Sequence, residues 1–317
     1  MKRVLLVKTS SLGDVVHNLP VASDLVRAFP GVRIDWAVEP AFAALPRLHP
    51  AVHRVIPVAL RRWRREIWRP ATLSDMMRAR AELRQERYDA VIDTQGLLKS
   101  AVVTAQARGP RYGLDRASSR EPLGVFYDRT FRVPWGQHAV ARNRQLASLA
   151  CRYDLPTACS YGVHARPAKP EWIDDVRYCV LLHATSAPAK LWDEGRWVAL
   201  GEEFARRGWW CVLPWGSEEE KERSERIAEV VTHAVVPPAL VLETLTGLLA
   251  GAQVVVGVDT GLTHLAGAVG APTVGVYTAT DPAATGLFRC ARGANVGGIG
   301  AQPGVAEVTA ALDKVLG

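Results

Sequence analysis

Short apolar segments alternate with longer amphipathic segments throughout the chain. In the first half, the segments that have the pattern of β-strands lie at 3–7, 33–38, 54–58 and 89–92. Helical periodicity begins at Val15 and recurs at about 74–86, 97–107 and 137–152. Strands that alternate with helices of this length predict a parallel sheet built from βαβ units.

The pattern stops at 154–175 and then restarts. Pro156, Gly162, Pro167 and Pro170 break this stretch and favour an interdomain linker. Beyond it, strands are predicted at 178–183, 209–213, 253–258 and 273–276. Helices are predicted at 194–207, 217–231, 241–250, 261–269 and, closing the chain, 304–316.

This organisation predicts an α/β protein with two Rossmann-like, doubly wound parallel-sheet domains that face a central cleft. We place the first domain at 1–160 and the second at 161–300, and expect the helix within 301–317 to pack near the domain junction. Ligands of such sheets bind at the carboxyl ends of the strands. The residues that follow the predicted strands are therefore the first candidates for function.

Composition narrows the possible classes of protein. With 317 residues, 48% hydrophobic and 22% charged, the chain has the composition of a folded globular protein and not of a disordered one. No apolar run approaches the roughly 20 residues that span a bilayer. The opening MKRVLLVKTSSLGD has the pattern of a first strand, not of a signal peptide. Five scattered cysteines without a CxxC favour a reducing, cytosolic compartment and no metal site.

The charge is distributed unevenly along the chain. Residues 1–160 carry 26 Lys and Arg against 14 Asp and Glu, whereas residues 161–317 carry 13 against 18. A basic half implies an anionic ligand, a membrane surface or nucleic acid, or simply solvated helix faces. The densest cluster consists of Arg61, Arg62, Arg64, Arg65 and Arg69, with Trp63 and Trp68 among them. Tryptophan interleaved with arginine is typical of a surface that meets lipid headgroups or stacks on a ring.

The loop after the first strand, Lys8 to Asp14, is the first place suited to chemistry. It contains neither GxGxxG nor GxxxxGK[ST], so neither a dinucleotide fingerprint nor a P-loop is supported. It does offer a glycine turn, hydroxyl groups and a carboxylate at the carboxyl end of a strand. Asp14 is either the N-cap of the next helix or a general base that accepts a proton from an acceptor hydroxyl.

Two segments of the second half are suited to a nucleotide. Thr185, Ser186 and Lys190 follow the first strand there, and hydroxyl and ammonium groups at such a position can bind phosphate oxygens, although a loop lysine is more often only solvated. After the second strand, Leu213-Pro214-Trp215-Gly216 leads into a glutamate-rich helix. A glutamate near the start of that helix, which we assign as Glu220, is suited to ribose hydroxyls.

The segment Val258-Asp259-Thr260-Gly261-Leu262-Thr263-His264 is the most specific of these places. It follows a buried strand and starts a helix, whose free N–H groups and dipole favour phosphate. His264 lies one turn into the helix, on the side of Gly261, where a purely structural histidine is the alternative. Asp259 lies just before this helix, where it is a candidate N-cap.

Six motifs together resemble a known family. They are KTSSLGDVVHNLP, RRWRR, Asp93 to Ser100 (DTQGLLKS), HATS with the following Lys190 and Trp192, LPWG, and VDTGLTHLAGA. In this order, from residue 2 to about 282, they are similar to glycosyltransferase family 9, the lipopolysaccharide heptosyltransferases, and most to its heptosyltransferase I branch. The chain departs from the family at Thr278-Ala279, where Gly-Pro is usual, and at Leu240, an apolar position near the adenine.

The resemblance implies a GT-B fold and an inverting transfer of heptose. The first domain would bind Kdo2-lipid A, and the second would bind ADP-L-glycero-β-D-manno-heptose, whose heptose moves to the 5-hydroxyl of the first Kdo. We assign Asp14 as the base and Lys190 as the stabiliser of the leaving ADP. Donor binding is assigned to Thr185, Ser186, Lys190, Glu220, Leu240, Asp259, Thr260, Gly261 and His264. Acceptor binding is assigned to Ser10, Ser11, Gly13, Arg61, Arg62, Arg64, Arg65, Gln95 and Arg120.

No metal and no cofactor are expected, because the Asp-x-Asp motif that holds a divalent ion on the diphosphate does not occur. We expect a cytoplasmic protein, peripheral on the anionic inner face of the inner membrane, without an obligate protein partner. Nucleic acid is disfavoured as a partner, because no RNA-binding motif occurs and the second half is acidic. Another heptosyltransferase of the family and a GT-B nucleotide-sugar epimerase stay open as alternatives.

Overall fold

Two separate parallel sheets organise the protein. The computed structural model describes residues 1–168, 172–173 and 177–317, so that Pro170 and the end of the expected linker lie outside the described residues. The chain divides into two units, Met1–His164 and Ala165–Gly317.

The first unit holds a six-stranded sheet with helices between its strands. The strands are β1 (Arg3–Val7), β2 (Arg33–Val38), β3 (Val52–Pro57), β4 (Ala90–Asp93), β5 (Arg111–Leu114) and β6 (Arg129–Phe131). The helices are α1 (Leu12–Val16), α2 (Leu19–Ala28), α3 (Ala44–Arg47), α4 (Leu60–Arg65), α5 (Pro70–Gln85), α6 (Leu98–Gln106) and α7 (Ala139–Cys151).

The described residues of the second unit repeat this architecture. The strands are β7 (Tyr178–Leu182), β8 (Trp210–Val212), β9 (Ala234–Val235), β10 (Val254–Val258), β11 (Thr273–Tyr277) and β12 (Gly293–Gly297). The helices are α8 (Glu194–Arg206), α9 (Glu218–Val230), α10 (Leu242–Gly251), α11 (Gly261–Ala268), α12 (Pro282–Thr285) and α13 (Val305–Leu316).

Both sheets have the doubly wound strand order. In the first it is β3-β2-β1-β4-β5-β6, and in the second β12-β11-β10-β7-β8-β9, with every described pair parallel. The direction of winding reverses between β1 and β4 in one sheet and between β7 and β10 in the other. These switch points are where ligands of open α/β sheets bind, just beyond the carboxyl ends of the strands.

The central strands are long apolar runs because helices cover both faces of each sheet. Val4 to Val7 in β1, all of β7 and all of β10 are buried. Removing such a side chain, for example by Leu5→Ala, is expected to cost about 2–5 kcal/mol of unfolding free energy. The core thus holds the strand ends, and the loops that leave them, in fixed positions.

The closing helix α13 contributes to the core of the second unit. It packs on β11, β12 and α8, and buries Val308 and Leu312 in the same apolar cluster as Val274. Residues 301–317 therefore belong to the second unit.

One predicted helix proves to be two. The pattern from Val15 suggested a single helix, but α1 ends at Val16 and α2 begins at Leu19. Pro20 lies in the first turn of α2, where its missing N–H group is tolerated, although it cannot continue the preceding helix. Helices α3 and α4 and strands β5, β6, β9 and β12 had no counterpart in the sequence prediction.

Candidate functional site

The loop between β1 and α1 places Asp14 at the switch point of the first sheet. Ser11 is the N-cap of α1, and Asp14 is three residues later. Asp14 Oδ2 accepts hydrogen bonds from Ser11 N at 2.9 Å and from Ser11 Oγ at 3.1 Å. The N-cap alternative for Asp14 is therefore wrong in position, although the carboxylate does help to start the helix.

The second oxygen of Asp14 is differently placed. Oδ1 lies 3.8 Å from Lys8 Nζ, and the Asp14 side chain is 42% exposed. A carboxylate with one oxygen fixed by the backbone and the other accessible is suited to accept a proton from a bound hydroxyl group. Gly13 lies in the first turn of the same helix, immediately before Asp14.

Lys8 is a buried cation beneath this loop, and the sequence prediction did not assign it a role. Its Nζ donates to Thr94 O at 3.0 Å. Burial lowers the pKa of Lys8, and the Asp14 and Asp93 carboxylates oppose that effect. A lysine at the end of a strand carries no sequence signal for such a position; only the folded arrangement brings it beside Asp14.

Residues after β4 brace the loop from the other side of the switch point. Gln95 Oε1 accepts hydrogen bonds from Thr9 N at 3.0 Å and from Ser10 N at 3.2 Å. Lys99 Nζ donates to Ser10 Oγ at 2.7 Å. Gln95, expected to bind the acceptor, thus uses its carbonyl oxygen to shape the loop that carries Asp14.

Asp93 holds the backbone of Gln95 and Gly96 in place from the interior of the first unit. It is fully buried and accepts hydrogen bonds from Gln95 N at 2.9 Å, Gly96 N at 3.1 Å and Tyr127 Oη at 2.8 Å. Burial raises the pKa of Asp93 against the effect of these donors. Gly96 has a φ of 66°, a backbone conformation that glycine adopts without strain.

Arg120 and Arg142 add positive charge to the first unit. Arg120, assigned to the acceptor, is exposed in the loop after β5. Arg142, which the sequence prediction missed, lies 3.8 Å over the Trp135 ring and donates to Ser118 O at 2.6 Å. Its pKa is lowered by burial and by the neighbouring charge of Arg120. Two neighbouring cations of this kind favour an anionic ligand.

The arginine cluster forms helix α4. Arg61, Arg62, Arg64 and Arg65 are exposed, whereas Trp63 between them is buried in the core of the first unit. The expected surface role of Trp63 is therefore wrong, because its ring serves the packing of α4. The Arg61 backbone N–H donates to Glu39 Oε1 at 3.0 Å, and Arg62 is paired with Asp75.

A set of exposed apolar side chains accompanies the cluster. Ile67 and Trp68 lie in the turn between α4 and α5, and Leu73 and Met77 follow on α5. Their exposed fractions are 44%, 90%, 48% and 66% respectively. Trp68 immediately precedes the N-cap of α5, and Leu73 is the fourth residue of that helix. Side chains at these two positions usually pack against each other. Met77 is one turn further along the same face of α5.

Asp259 forms the centre of the second switch point. Its Oδ2 contacts Lys190 Nζ at 2.8 Å and accepts a hydrogen bond from Thr280 Oγ1 at 2.7 Å, and its Oδ1 lies 3.3 Å from His264 Nε2. Burial by itself raises the pKa of Asp259, but the hydrogen bonds from His264, Lys190 and Thr280 outweigh it and hold the pKa well below its usual range. The N-cap alternative is wrong, because Thr260 occupies the N-cap of α11.

The loop after β7 meets this carboxylate. Thr185 Oγ1 donates to Asp259 O at 3.2 Å, and Ser186 is exposed in the same loop. Lys190 closes a short turn, Pro188–Lys190, and its side chain is 30% exposed. Its Nζ therefore contacts Asp259 and is still partly exposed to solvent. It lies near the first turn of α11, which begins at Thr260 and Gly261 and whose first N–H groups have no intrahelical acceptor.

Glu220 and Leu240 lie beyond the neighbouring strands of the same sheet. Glu220 is in the first turn of α9, where its Oε2 accepts a hydrogen bond from Gly216 N at 2.7 Å. Its own N–H donates to Ser217 Oγ at 3.3 Å, so that Ser217 caps the start of α9. Leu240 is half-buried in the loop after β9. All the residues assigned to the donor therefore follow the carboxyl ends of β7 to β10.

The described residues contain neither a cluster suited to a metal ion nor a helix suited to a membrane. Within residues 1–168, 172–173 and 177–317, no group of three or more His, Cys, Asp or Glu side chains is arranged to hold a metal ion. In the same part of the chain, no helix has the length and apolarity needed to cross a membrane.

Comparison with known proteins identifies relatives across most of the chain. The sequence model described as glycosyltransferase family 9 (heptosyltransferase) matches residues 76–312. Lipopolysaccharide heptosyltransferase 1 of Pseudomonas aeruginosa is 48% identical over 295 residues, which cover 90% of this chain and 81% of the relative.

Solved structures extend this similarity to the fold. E. coli heptosyltransferase WaaC with ADP superposes with a TM-score of 0.91 at 39% identity, covering 99% of both chains. The same protein with ADP-2-deoxy-2-fluoro heptose gives a TM-score of 0.87 at 38% identity, covering 98% of this chain and 99% of that one. These matches confirm the predicted GT-B class with two Rossmann-like parallel sheets.

Proposed function

Because the chain belongs to glycosyltransferase family 9, the heptosyltransferases, we propose that it acts in the synthesis of the lipopolysaccharide inner core. It takes L-glycero-D-manno-heptose from ADP-heptose and transfers it to the 5-hydroxyl of the first Kdo of Kdo2-lipid A, with inversion at the anomeric carbon. The observation that carries the proposal is the Lys190–Asp259–His264 cluster at the helix start after β10, in a chain 48% identical to a heptosyltransferase.

The second unit binds the donor in this proposal. The diphosphate oxygens bind to the ammonium group of Lys190, to the hydroxyl groups of Thr185 and Ser186, and to the N–H groups at the start of α11. Asp259 exchanges Lys190 for a heptose hydroxyl, from which it accepts a hydrogen bond, and keeps Thr280 and His264 as partners. His264 fixes Asp259 through Oδ1. Glu220 binds the ribose and Leu240 contacts the adenine.

The first unit binds the acceptor and supplies the base. As the acceptor oxygen bonds to the anomeric carbon, its proton passes to Asp14, and the bond from that carbon to the diphosphate oxygen breaks. Oδ1 is the oxygen left to take the proton, because Oδ2 is held by Ser11. Negative charge develops on the departing ADP, where preorganised positive groups such as Lys190 stabilise it.

The basic surface of the first unit recognises the anionic groups of the acceptor. Arg120, with Arg142 beside it, is suited to a carboxylate or phosphate, and Ser10, Ser11 and Gly13 line the loop at the base. Exposed arginines of α4 then meet acceptor phosphates or the headgroups around them. Each basic residue near an anionic surface contributes about 1 kcal/mol.

The exposed apolar set supports a peripheral membrane position. Trp68 at 90% exposure, with Met77 at 66%, flanks the arginines of α4. Amphipathic surfaces that combine tryptophan with basic residues bind at the boundary between headgroups and acyl chains. The protein would thereby reach a lipid-anchored acceptor from the cytoplasmic face of the inner membrane.

The direct experiment supplies purified protein with ADP-heptose and Kdo2-lipid A. Mass spectrometry should show the acceptor heavier by one heptose residue, with ADP released in equal amount. NMR should place the new bond at the 5-hydroxyl with the anomeric configuration inverted. Release of free heptose, an epimerised nucleotide sugar or attachment elsewhere on the acceptor would contradict the proposal.

A further inference from the structure

The segment after β11 makes two contacts to the donor cluster that the sequence analysis did not assign. Thr278 is buried, with an exposed fraction of 4%, and its Oγ1 donates to Ala189 O at 2.9 Å. Ala189 immediately precedes Lys190 in the turn after β7. Two residues beyond Thr278, Thr280 Oγ1 donates to Asp259 Oδ2 at 2.7 Å, the same oxygen that Lys190 contacts at 2.8 Å.

The turn that carries Lys190 has a side-chain contact from outside the turn. Its own backbone bonds, Lys190 N to Ala187 O at 2.9 Å and Leu191 N to Pro188 O at 3.0 Å, close the turn on itself. They do not attach it to the sheet. Thr278 supplies such an attachment, because its backbone is fixed to β11 and its carbonyl accepts a hydrogen bond from Gly300 N at 2.9 Å.

From these contacts we infer that Thr278 is a positioning residue for Lys190. The inference rests on the proposed function, in which the Lys190 ammonium leaves Asp259 for the diphosphate of the donor. Thr278 holds the lysine backbone while the flexible side chain changes partner. Thr280 remains on Asp259 Oδ2, so that the carboxylate oxygen keeps a donor after Lys190 has left it.

A loosely held Lys190 should affect the chemical step more than donor binding. A catalytic group misplaced by about 1 Å can cost on the order of 10²-fold in rate. A looser turn still allows ADP-heptose to bind through the other groups, but it places Lys190 less well against the charge that develops on the leaving ADP. Loss of the Thr278 hydroxyl should therefore lower kcat more than it raises KM for the donor, and should leave KM for the acceptor unchanged.

The experiment compares Thr278→Val, which deletes the hydroxyl, with Thr278→Ser, which keeps it. The matched control is Thr273→Val, because Thr273 is also buried in β11 and its Oγ1 donates to Ala271 O at 2.8 Å, at the amino end of the strand. We expect kcat of Thr278→Val to fall roughly tenfold or more, and Thr278→Ser and Thr273→Val to stay within about twofold of wild type. An equal fall in Thr278→Val and Thr273→Val would show a merely structural role and overturn the inference.

A double-mutant cycle with Lys190→Ala separates this inference from the proposed function. If Thr278 acts through Lys190, then Thr278→Val should change kcat by less than about twofold in the Lys190→Ala background. A full additional loss in that background would overturn the inference while leaving heptose transfer intact. If Lys190→Ala itself matched wild type in kcat and donor KM, the proposed role of Lys190 would fail instead.

Discussion

Asp14 shows how one side chain serves both the local fold and the proposed chemistry. One carboxylate oxygen starts helix α1 through Ser11, and the other lies 3.8 Å from Lys8 Nζ. An asparagine can still accept the hydrogen bond from Ser11 through its side-chain oxygen, but its amide nitrogen cannot accept a proton. The two roles can therefore be separated by one substitution.

We predict that Asp14→Asn folds normally and loses roughly 10²- to 10⁴-fold in kcat, the usual range for removal of a general base. The control is Asp89→Asn, since Asp89 Oδ2 also accepts a backbone hydrogen bond, from Arg3 N at 3.1 Å, at the opposite edge of the same sheet. Steady-state transfer kinetics provide the measurement. Near-normal kcat for Asp14→Asn would remove Asp14 from the mechanism.

For Lys190, the prediction concerns the donor. Lys190→Ala removes a preorganised positive group from the leaving diphosphate, and one such group is worth about 3 kcal/mol in the transition state. We expect kcat/KM for ADP-heptose to fall on the order of 10²-fold. Exposed Lys314 on α13 offers the control, because its removal should leave the kinetics unchanged. Equal behaviour of the two alanine variants would return Lys190 to the status of a solvated surface lysine.

At the scale of single elements, α4 is a short helix with a buried tryptophan and exposed arginines on its other sides. Trp63 anchors it to the core, so that the arginines are held on a fixed surface. The pairing of Arg62 with Asp75 compensates part of the positive charge of α4. Arg64 and Arg65 are exposed and add positive charge to the same helix.

Replacing the four arginines of α4, Arg61, Arg62, Arg64 and Arg65, by alanine should raise KM for the lipid acceptor and leave donor affinity unchanged. The rate should also become less dependent on salt, because exposed charges are screened over about 10 Å at 0.1 M. The matched control replaces four other exposed arginines of the first unit, at the amino-terminal side of the sheet: Arg27, Arg33, Arg87 and Arg108. A similar rise in acceptor KM in both quadruple variants, or a fall in donor affinity, would contradict this role.

The elements that sequence predicted are those with long buried runs. Strands β1, β7 and β10 are buried almost throughout, so their apolar residues are consecutive. Strands β6 and β9 consist of three and two residues and are half-exposed. Strands β6, β9 and β12 lie at sheet edges, and the internal strand β5 has only four residues, three of them half-buried. Such strands need no continuous apolar run, which explains why these four were missed.

The site residues were predicted from their positions after predicted strands, and that rule selected Asp14, Thr185, Lys190 and Asp259. Thr280 also follows a predicted strand, but its contact with Asp259 could not be predicted, since only the fold brings together groups separated by 21 residues at one carboxylate. The partnership of Lys8 with Thr94, 86 residues away, was hidden for the same reason. Sequence position indicates which strand end carries a residue, but not which neighbours compete for its side chain.

Across the whole molecule, two buried histidines, one in each unit, connect stability to pH. Burial lowers the pKa of His49 and of His183 to about 4. His49 accepts a hydrogen bond from Ala51 N at 3.2 Å and lies 2.9 Å from Ser23 Oγ, and His183 lies 2.8 Å from Ser224 Oγ. Both are therefore neutral in the folded protein at neutral pH.

The unfolded chain takes up protons on these histidines near pH 6.5, whereas the folded protein does so only near pH 4. Stability is thus complete above about pH 6.5 and falls as the pH drops towards 4, by roughly 2 kcal/mol per histidine at pH 5. Urea unfolding midpoints at pH 7.5 and pH 5 measure this fall. His49→Asn, whose side-chain oxygen can still accept from Ala51 N, should flatten the dependence; an unchanged slope would exclude His49 as a cause.

The central claim about the whole molecule is that its own cations and helix start, without a metal ion, stabilise the departing ADP. The most direct measurement is the initial rate of heptose transfer by metal-stripped protein in excess EDTA. A deacylated acceptor is the suitable substrate, because lipid aggregates themselves respond to divalent cations. If protein groups alone stabilise the leaving ADP, the rate is the same with and without EDTA. A large loss of transfer that Mg²⁺ or Mn²⁺ restores would contradict it.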